Sequence, residues 1–469
     1  MRSTHDVIVI GAGAAGLTAA GGCARFGLRT ALIERARMGG DCLNDGCVPS
    51  KALLAAAHRA QAARYAGRFG IRLGAPATDW PAVRAHVRAA IDAIAPHDDA
   101  ARFRAWGVEV IHGEARFVGR RSVSVGGRVL TAPRIVVATG SRPRVPEVEG
   151  LSAVRFLTNE TLFDLPELPS HLVVLGGGSV GVEMAQAFRR LGAAVTLVEA
   201  ERPLPREDPE AAALVLRRLA AEGVAIRVGV AVSRAEATAA GVRLTLADGT
   251  AIEGSHLLVA AGRAPDLYAL DLPAAGVRVG ADGIVVDAGR RSSNPCVLAL
   301  GDCRAGPRLT HAAGEDGGVA VMRIALGLPG RVRPDTLPWV TYTEPELAQV
   351  GLTEATALRR HGRVRVLRQA LADNDRAVTQ GDTDGFAKLV LVRGRPVGVT
   401  LVGAGAGELV LPWVMLLARR GSLWGLSGAV VPYPTLSELS RALAFSAYEA
   451  RLFGPWARRW ARMVSRLRR

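Results

Sequence analysis

The sequence predicts an α/β protein with two parallel-sheet units followed by an α+β region. A short apolar strand, a glycine turn and an alanine-rich helix open the chain at residues 6–27. The same pattern returns at residues 171–199. The chain is 469 residues long, with 49% apolar and 22% charged residues. That length exceeds one simple core and the composition is that of a folded protein, so two to four domains are expected.

In DVIVIGAGAAGLTAAGGCARFG the turn reads GxGxxG. Gly11 permits the tight turn, Gly13 lets a pyrophosphate approach the backbone, and Gly16 allows the helix to pack closely. The second strand, TALIE, ends at Glu34, 18 residues past Gly16, where a carboxylate accepts from an adenosine ribose. Strand, turn, helix and acid together specify a Rossmann-type dinucleotide site.

The repeat, HLVVLGGGSVGVEMAQAFRRLGAAVTLVE, carries Gly176, Gly178 and Gly181 in its turn and ends at Glu199. A second dinucleotide site follows. Glu199 sits where NADPH would place its 2'-phosphate, so NADH is mildly favoured over NADPH, although Arg202 and Arg206 offset the repulsion.

Five cysteines, at 23, 42, 47, 296 and 303, are too few for a disulfide scaffold and point to a reducing, cytoplasmic compartment. Two lie in GGDCLNDGCVPSK, residues 39–51. With Gly46 relaxing the backbone, Cys42 and Cys47 can close a small ring. Pro49 suits the first turn of a helix, which places Cys47 at a helix N-terminus that lowers its pKa. Cys23, Cys296 and Cys303 read as packing residues. The histidines show no metal-ligand spacing, so no resident metal is expected.

The segment 39–51, with IVVATGSRP (135–143), LVAAGRAPD (258–266), ALGDC (299–303), LTHAA (309–313), YTEPELAQVGLTE (342–354) and YPTLSE (433–438), closely resembles the class-I pyridine nucleotide-disulfide oxidoreductases. The resemblance covers roughly residues 5–450 and implies FAD on the first fingerprint and NAD(P)H on the second. It implies an FAD domain at 1–148, an NAD(P)H domain at 149–266, a return to the FAD domain at 267–335, and an α+β dimerisation domain at 336–450 of a homodimer. Gly40, Thr139, Gly140 and Gly262 join the cofactor residues through these motifs. Asp302 is implied at the flavin ribityl or phosphate region, and His311 and Ala312 beside the isoalloxazine. Cys47 is implied to stay against the flavin as a thiolate, leaving Cys42 exposed to attack substrate. Lys51, one of only two lysines, is implied near the reactive end of the flavin with Glu183 as its partner.

One position departs from the family. Where lipoamide dehydrogenase and glutathione reductase carry a histidine oriented by a glutamate, this chain has Tyr433, with Glu438 in place. A phenol with an ordinary pKa near 10 is a poor proton acceptor at neutral pH. Tyrosine there resembles mercuric reductase, in which two thiolates capture a soft metal ion. No cysteine follows Cys303, so a vicinal C-terminal pair is missing. The expected activity is therefore mercuric reductase-like reduction of a metal ion or small acceptor. Dihydrolipoyl dehydrogenase, membrane-surface NADH:quinone reduction and a non-turnover redox sensor are the alternatives.

Net charge is +16, carried almost wholly by arginine. No apolar run reaches spanning length. The segment after Pro455 places Trp456, Trp460, Met463, Val464 and Leu467 on one helical face and Arg458, Arg459, Arg462, Arg466, Arg468 and Arg469 on the other. Peripheral membrane contact or packing on a partner subunit is expected of it, whereas nothing resembles a nucleic-acid reader.

Overall fold

The computed structural model of the chain describes residues 3–468. Its first sheet is parallel and five-stranded, in the order Val297–Ala299, Arg134–Val137, Val7–Ile10, Thr30–Glu34, Val108–His112. Both faces are covered, which is why the VIVI and TALIE strands read as unbroken buried runs. Ile8, Ile10, Ile33 and Ile135 enter one core cluster, while Val7, Val9, Leu32 and Val136 enter the other. The second face is closed by helices Ala14–Arg25 and Thr310–Ala325, which pack where Gly317 lets Ala15 and Thr18 approach.

The repeat builds a second parallel sheet, ordered Ala225–Val228, Ala194–Glu199, His171–Leu175, His256–Val259. A short antiparallel pair, Ser141–Pro143 with Arg263–Pro265, ties together the two places where the chain passes between the sheets. These elements form one compact unit, up to Glu201 and again from Val224 to Val332.

The second unit comprises Arg202–Gly223 and the chain from Arg333 onward. It holds an antiparallel sheet ordered Pro338–Thr341, Glu346–Gly351, Arg395–Gly403, Phe386–Val392, Arg365–Ala370. Helices Leu411–Ala418 and Glu438–Leu452 supply Trp413, Leu439 and Leu443 to its core. Helix Pro209–Ala221, which the linear reading kept with the second nucleotide unit, belongs here for an electrostatic reason. Lys388 pairs with Asp208 and Glu210, Arg218 with Asp384, and Trp339 donates to Glu207. The basic segment near the end of the chain is helical over Pro455–Leu467, and the expectation for Arg469 lies outside the described residues. Among the described residues no helix is long and apolar enough to cross a membrane.

Candidate active site

The two glycine turns have the same construction. Gly11 has φ +103°, and a Cβ there would meet Ala138 O at 2.4 Å; at Gly16 a Cβ would lie 1.8 Å from Gly11 O. Gly176 (φ +116°) and Gly181 repeat this, at 2.5 Å from Ala260 O and 1.9 Å from Gly176 O. Gly13 and Gly178 differ in having nothing within 4 Å of a built Cβ. They cap helices Ala14–Arg25 and Ser179–Leu191, neither of which has a side-chain cap or an acid in its first turn. The first N–H groups of both helices thus face open space beside the turn, the condition for binding a diphosphate.

The two acids also share a geometry. Glu34 accepts from Ala12 N–H (2.6 Å) and Ala36 N–H (2.7 Å). Glu199 accepts from Gly177 N–H (2.7 Å) and Glu201 N–H (3.0 Å). Each carboxylate fixes its own glycine turn and keeps further lone pairs for a ribose hydroxyl. Arg202 donates to Pro205 O, and Arg206 stacks 5.3 Å from the Trp339 ring, so both arginines have other partners than a phosphate.

Cys42 lies in the short helix Gly40–Asn44 and Cys47 is the first residue of helix Cys47–Tyr65. Gly40 (φ +58°) is required because a Cβ would come 2.8 Å from Gly13 Cα, so the cysteine loop is seated directly on the first glycine turn. Gly46 has φ −127°, and its role is space: a Cβ would meet Asp41 O at 2.8 Å. The cysteines are free thiols in mutual hydrogen-bond contact. In the polypeptide Cys47 is exposed, as a residue whose neighbour would be the flavin must be, and Cys42 is half-buried.

The Cys47 thiol is held down to about 6 by its hydrogen bond with Cys42, against the cost of burial, with help from Thr310 Oγ1 at 3.3 Å and from the Lys51 charge. Asp41 pushes the other way. The same Cys42–Cys47 bond, together with burial, raises Cys42, so one thiolate and one thiol share the pair. Lys51, one turn beyond Cys47, donates from Nζ to Glu183 Oε2 at 2.8 Å. Glu183 is only 4% exposed and comes from helix Ser179–Leu191. Thr310 had no place in the sequence reading; its only signal was a hydroxyl just before His311 at the start of a helix.

A polar network missed in the sequence links this loop to Asp302. Asp302 accepts from Ser141 Oγ (2.7 Å), and Arg263 Nε donates to that same oxygen (2.7 Å). Arg263 also pairs with Asp41 (3.2 Å), which accepts from Asn159 Nδ2 at 2.8 Å. Asn159 Nδ2 reaches Asp45 O as well, and Asp45 pairs with Arg37. Burial pushes the Asp302 carboxyl up, opposed by the Ser141 bond and the Arg263 charge. Thr139 donates to Asp266 O, while Gly140 (φ +74°) and Gly262 (φ +100°) present open backbone. His311 is exposed at the start of helix Thr310–Ala325, but the Ala312 side chain is fully buried, so Ala312 can offer only its backbone to a ligand.

Tyr433 and Glu438 belong to the second unit. Tyr433 is 71% exposed, precedes a cis peptide bond to Pro434, and donates its hydroxyl to Asp375 Oδ2 at 2.8 Å. That hydrogen bond, Asp375's charge and then Glu438 raise its pKa above the usual phenol value. Asp375 rather than Glu438 thus holds the phenol, while Glu438 opens helix Glu438–Leu452. Cys23 and Cys303 are buried and pushed up to about 12, as packing cysteines should be, and Cys296 is buried too. Among the described residues no group of three or more His, Cys, Asp or Glu side chains is arranged to hold a metal ion.

Residues 5–317 match the pyridine nucleotide-disulphide oxidoreductase family, and residues 337–444 match its dimerisation domain, which supports a homodimer. The chain is 34% identical over 453 residues to mercuric reductase of Streptomyces lividans, covering 94% of this chain and 95% of the relative. It is 35% identical over 465 residues to dihydrolipoyl dehydrogenase of Chlorobaculum tepidum, covering 96% and 98%. Among solved structures, the Cu(II) complex of the HOCl-induced flavoprotein disulfide reductase RclA from Escherichia coli superposes with a TM-score of 0.83 at 28% identity, covering 94% of this chain and 99% of that one. LpdA from Mycobacterium tuberculosis gives 0.86 at 30%, covering 94% and 99%. With both family regions matched and near-full-length relatives above 30% identity, the chain belongs to the pyridine nucleotide-disulphide oxidoreductases, the family of NAD(P)H-dependent flavoproteins that its fold and motifs indicate.

Proposed function

We propose that this protein uses NADH, in preference to NADPH, to reduce a soft or borderline metal ion, or another small acceptor, through Cys42 and Cys47. The observation that carries the reading is the contrast between two groups. Cys47 is held as a thiolate at neutral pH, while the residue in the family's histidine position is a phenol bound to Asp375 and raised in pKa. Thiolates capture a soft ion without a general base, whereas exchange with an organic disulfide needs one.

The residues fit FAD at the first turn. Gly11, Gly13, Gly16 and the uncapped helix would take the diphosphate, Glu34 the ribose, and Asp302 the ribityl region. When bound, FAD supplies two-electron transfer between a reduced nicotinamide and the cysteine pair. Glu199, with Gly176, Gly178 and Gly181, would position NADH. The net step is NADH plus the disulfide giving NAD⁺, one thiol and one thiolate. Cys47 then keeps the thiolate, Cys42 retains a proton until it meets the acceptor, and Lys51 balances the charge. One NADH carries enough electrons for one Hg(II) to become metal or for two Cu(II) to become Cu(I). RclA, a structural neighbour, is described as a Cu(II) complex, and one relative as a mercuric reductase.

The test has two parts. Under anaerobic titration the FAD-loaded protein should take up two more electrons per flavin than Cys47→Ser, and equal uptake would sink the cysteine mechanism. NADH oxidation should then be faster with Hg(II) or Cu(II) than with lipoamide. Faster lipoamide turnover would instead favour dihydrolipoyl dehydrogenase activity, the second reading, which the Chlorobaculum tepidum relative supports equally by identity.

A further inference from the structure

Helix Pro455–Leu467 lies beyond both regions matched to the family, and its apolar face is uncovered in the protomer. Trp456 is 81% exposed, Trp460 59%, Met463 45% and Leu467 78%. At 100° per residue these four side chains fall within a single narrow sector. Arg458, Arg459, Arg462 and Arg466 fall in a separate sector centred roughly 115° away, so the basic row flanks the apolar row along the helix. No acidic residue follows Glu449, and seven arginines do. The arginine heads have therefore no carboxylate within reach along the helix, and Arg462 Nε donates only to its own backbone at Arg458 O.

The choice of occupant follows from what each candidate would satisfy. A nucleic acid would meet the arginines and leave both tryptophans in water. A second copy of the chain would cover the tryptophans, but it would bring the arginine row against a surface of the same net charge, +16. An anionic phospholipid bilayer satisfies both rows at once. Acyl chains receive the apolar face, indoles sit at headgroup level, and arginines reach sideways to the phosphates. At 13 residues the helix is about 20 Å long, too short to span a bilayer and suited to lying in its plane. We propose that helix Pro455–Leu467 docks this flavoprotein reversibly on anionic phospholipid membranes, a property independent of the electron acceptor argued above.

The test uses the full-length, FAD-loaded protein with vesicles of pure phosphatidylcholine and of phosphatidylcholine mixed with phosphatidylglycerol. Sedimentation should show binding to the anionic vesicles only, reversed by high salt, with a blue shift of tryptophan emission. Trp456→Ser/Trp460→Ser should abolish the blue shift and most of the binding. Arg458→Gln/Arg462→Gln should weaken binding by about fivefold per charge removed. Reduction of ferricyanide by NADH in solution, which does not involve this helix, should be the same in all variants and shows that each is folded. Failure of the parent to bind anionic vesicles overturns the proposal. So does equal binding by the tryptophan variant, and so does conversion of dimer to monomer in that variant by light scattering, which would show that a second copy covers the face.

Discussion

Lys51 Nζ lies 2.8 Å from Glu183 Oε2, joining the helix that starts at Cys47 to the helix that follows the second glycine turn. The cation that lowers the Cys47 pKa is thus oriented by a nearly buried carboxylate from the second nucleotide unit. A lysine alone on the redox helix would swing freely; one fixed by Glu183 has a defined distance to the sulfur. Removing the charge should therefore show directly at Cys47. Lys51→Met should move the midpoint for alkylation of the reduced protein by iodoacetamide upward from about 6, by roughly one pH unit. An unchanged midpoint would mean that Lys51 does not stabilise the thiolate.

Asp41 predicts a shift of opposite sign. Its carboxylate raises the Cys47 pKa while holding Arg263 and Asn159. Asp41→Asn keeps an acceptor for Asn159 and removes the charge, so the alkylation midpoint should fall below the parent value by a few tenths of a unit to one unit. A rise would show that loosening of the loop outweighs the charge. Measured beside Lys51→Met, the pair separates electrostatics from general disruption, since disruption would move both variants the same way.

The elements that were legible in the sequence are those whose chemistry is local. The glycine turns, the acid ending each second strand and the cysteine loop each occupy a short segment in which spacing alone constrains geometry. Lys51 with Glu183 was readable only through family resemblance, because 132 residues separate them. The network from Asp302 through Ser141 and Arg263 to Asp41 was not legible for the same reason: its members come from four separate segments and none has a periodicity. Helix Pro209–Ala221 follows its ion pairs to Lys388 and Asp384 rather than its place in the chain.

Tyr433 predicts a gain of function. With Asp375 accepting from its hydroxyl, the phenol holds its proton more tightly than usual and is a still weaker base at neutral pH. Tyr433→His should raise NADH-dependent lipoamide reduction by about a hundredfold, and the new rate should rise with pH as the imidazole loses its proton. Absence of any gain would remove the acid/base explanation for the tyrosine.

Lys388, the second lysine, is 6% exposed and lies within 3.0 Å of Asp208 Oδ1, 2.8 Å of Glu210 and 3.3 Å of Glu354. Asp208 is 1% exposed and also caps helix Pro209–Ala221. Lys388→Met leaves that carboxylate buried without its cation, which should cost about 3–5 kcal/mol. Lys388→Met/Asp208→Asn should recover part of the loss, because the amide still caps the helix and carries no charge. If the double variant is no more stable than the single in urea unfolding, the loss comes from packing rather than from charge.

Beside that cluster, Glu207 is 6% exposed and accepts from Trp339 Nε1 at 2.8 Å. Burial pushes its carboxyl from 4.5 up to about 7, against the opposing Trp339 bond and the charges of Arg206 and Arg202. Between these two values the folded protein binds a proton that the unfolded chain has released, so stability is lost as pH rises through that window. Above pH 7 the carboxylate is ionised in both states and the folded state carries the full cost of burying it. Glu207→Gln keeps an acceptor for the indole and removes the charge. It should stabilise the protein at pH 8 by about 1–3 kcal/mol while changing little at pH 4.5. The urea midpoint at the two pH values decides the matter: a gain confined to pH 8 identifies ionisation as the cost, whereas an equal gain at both would assign it to the fit of the amide.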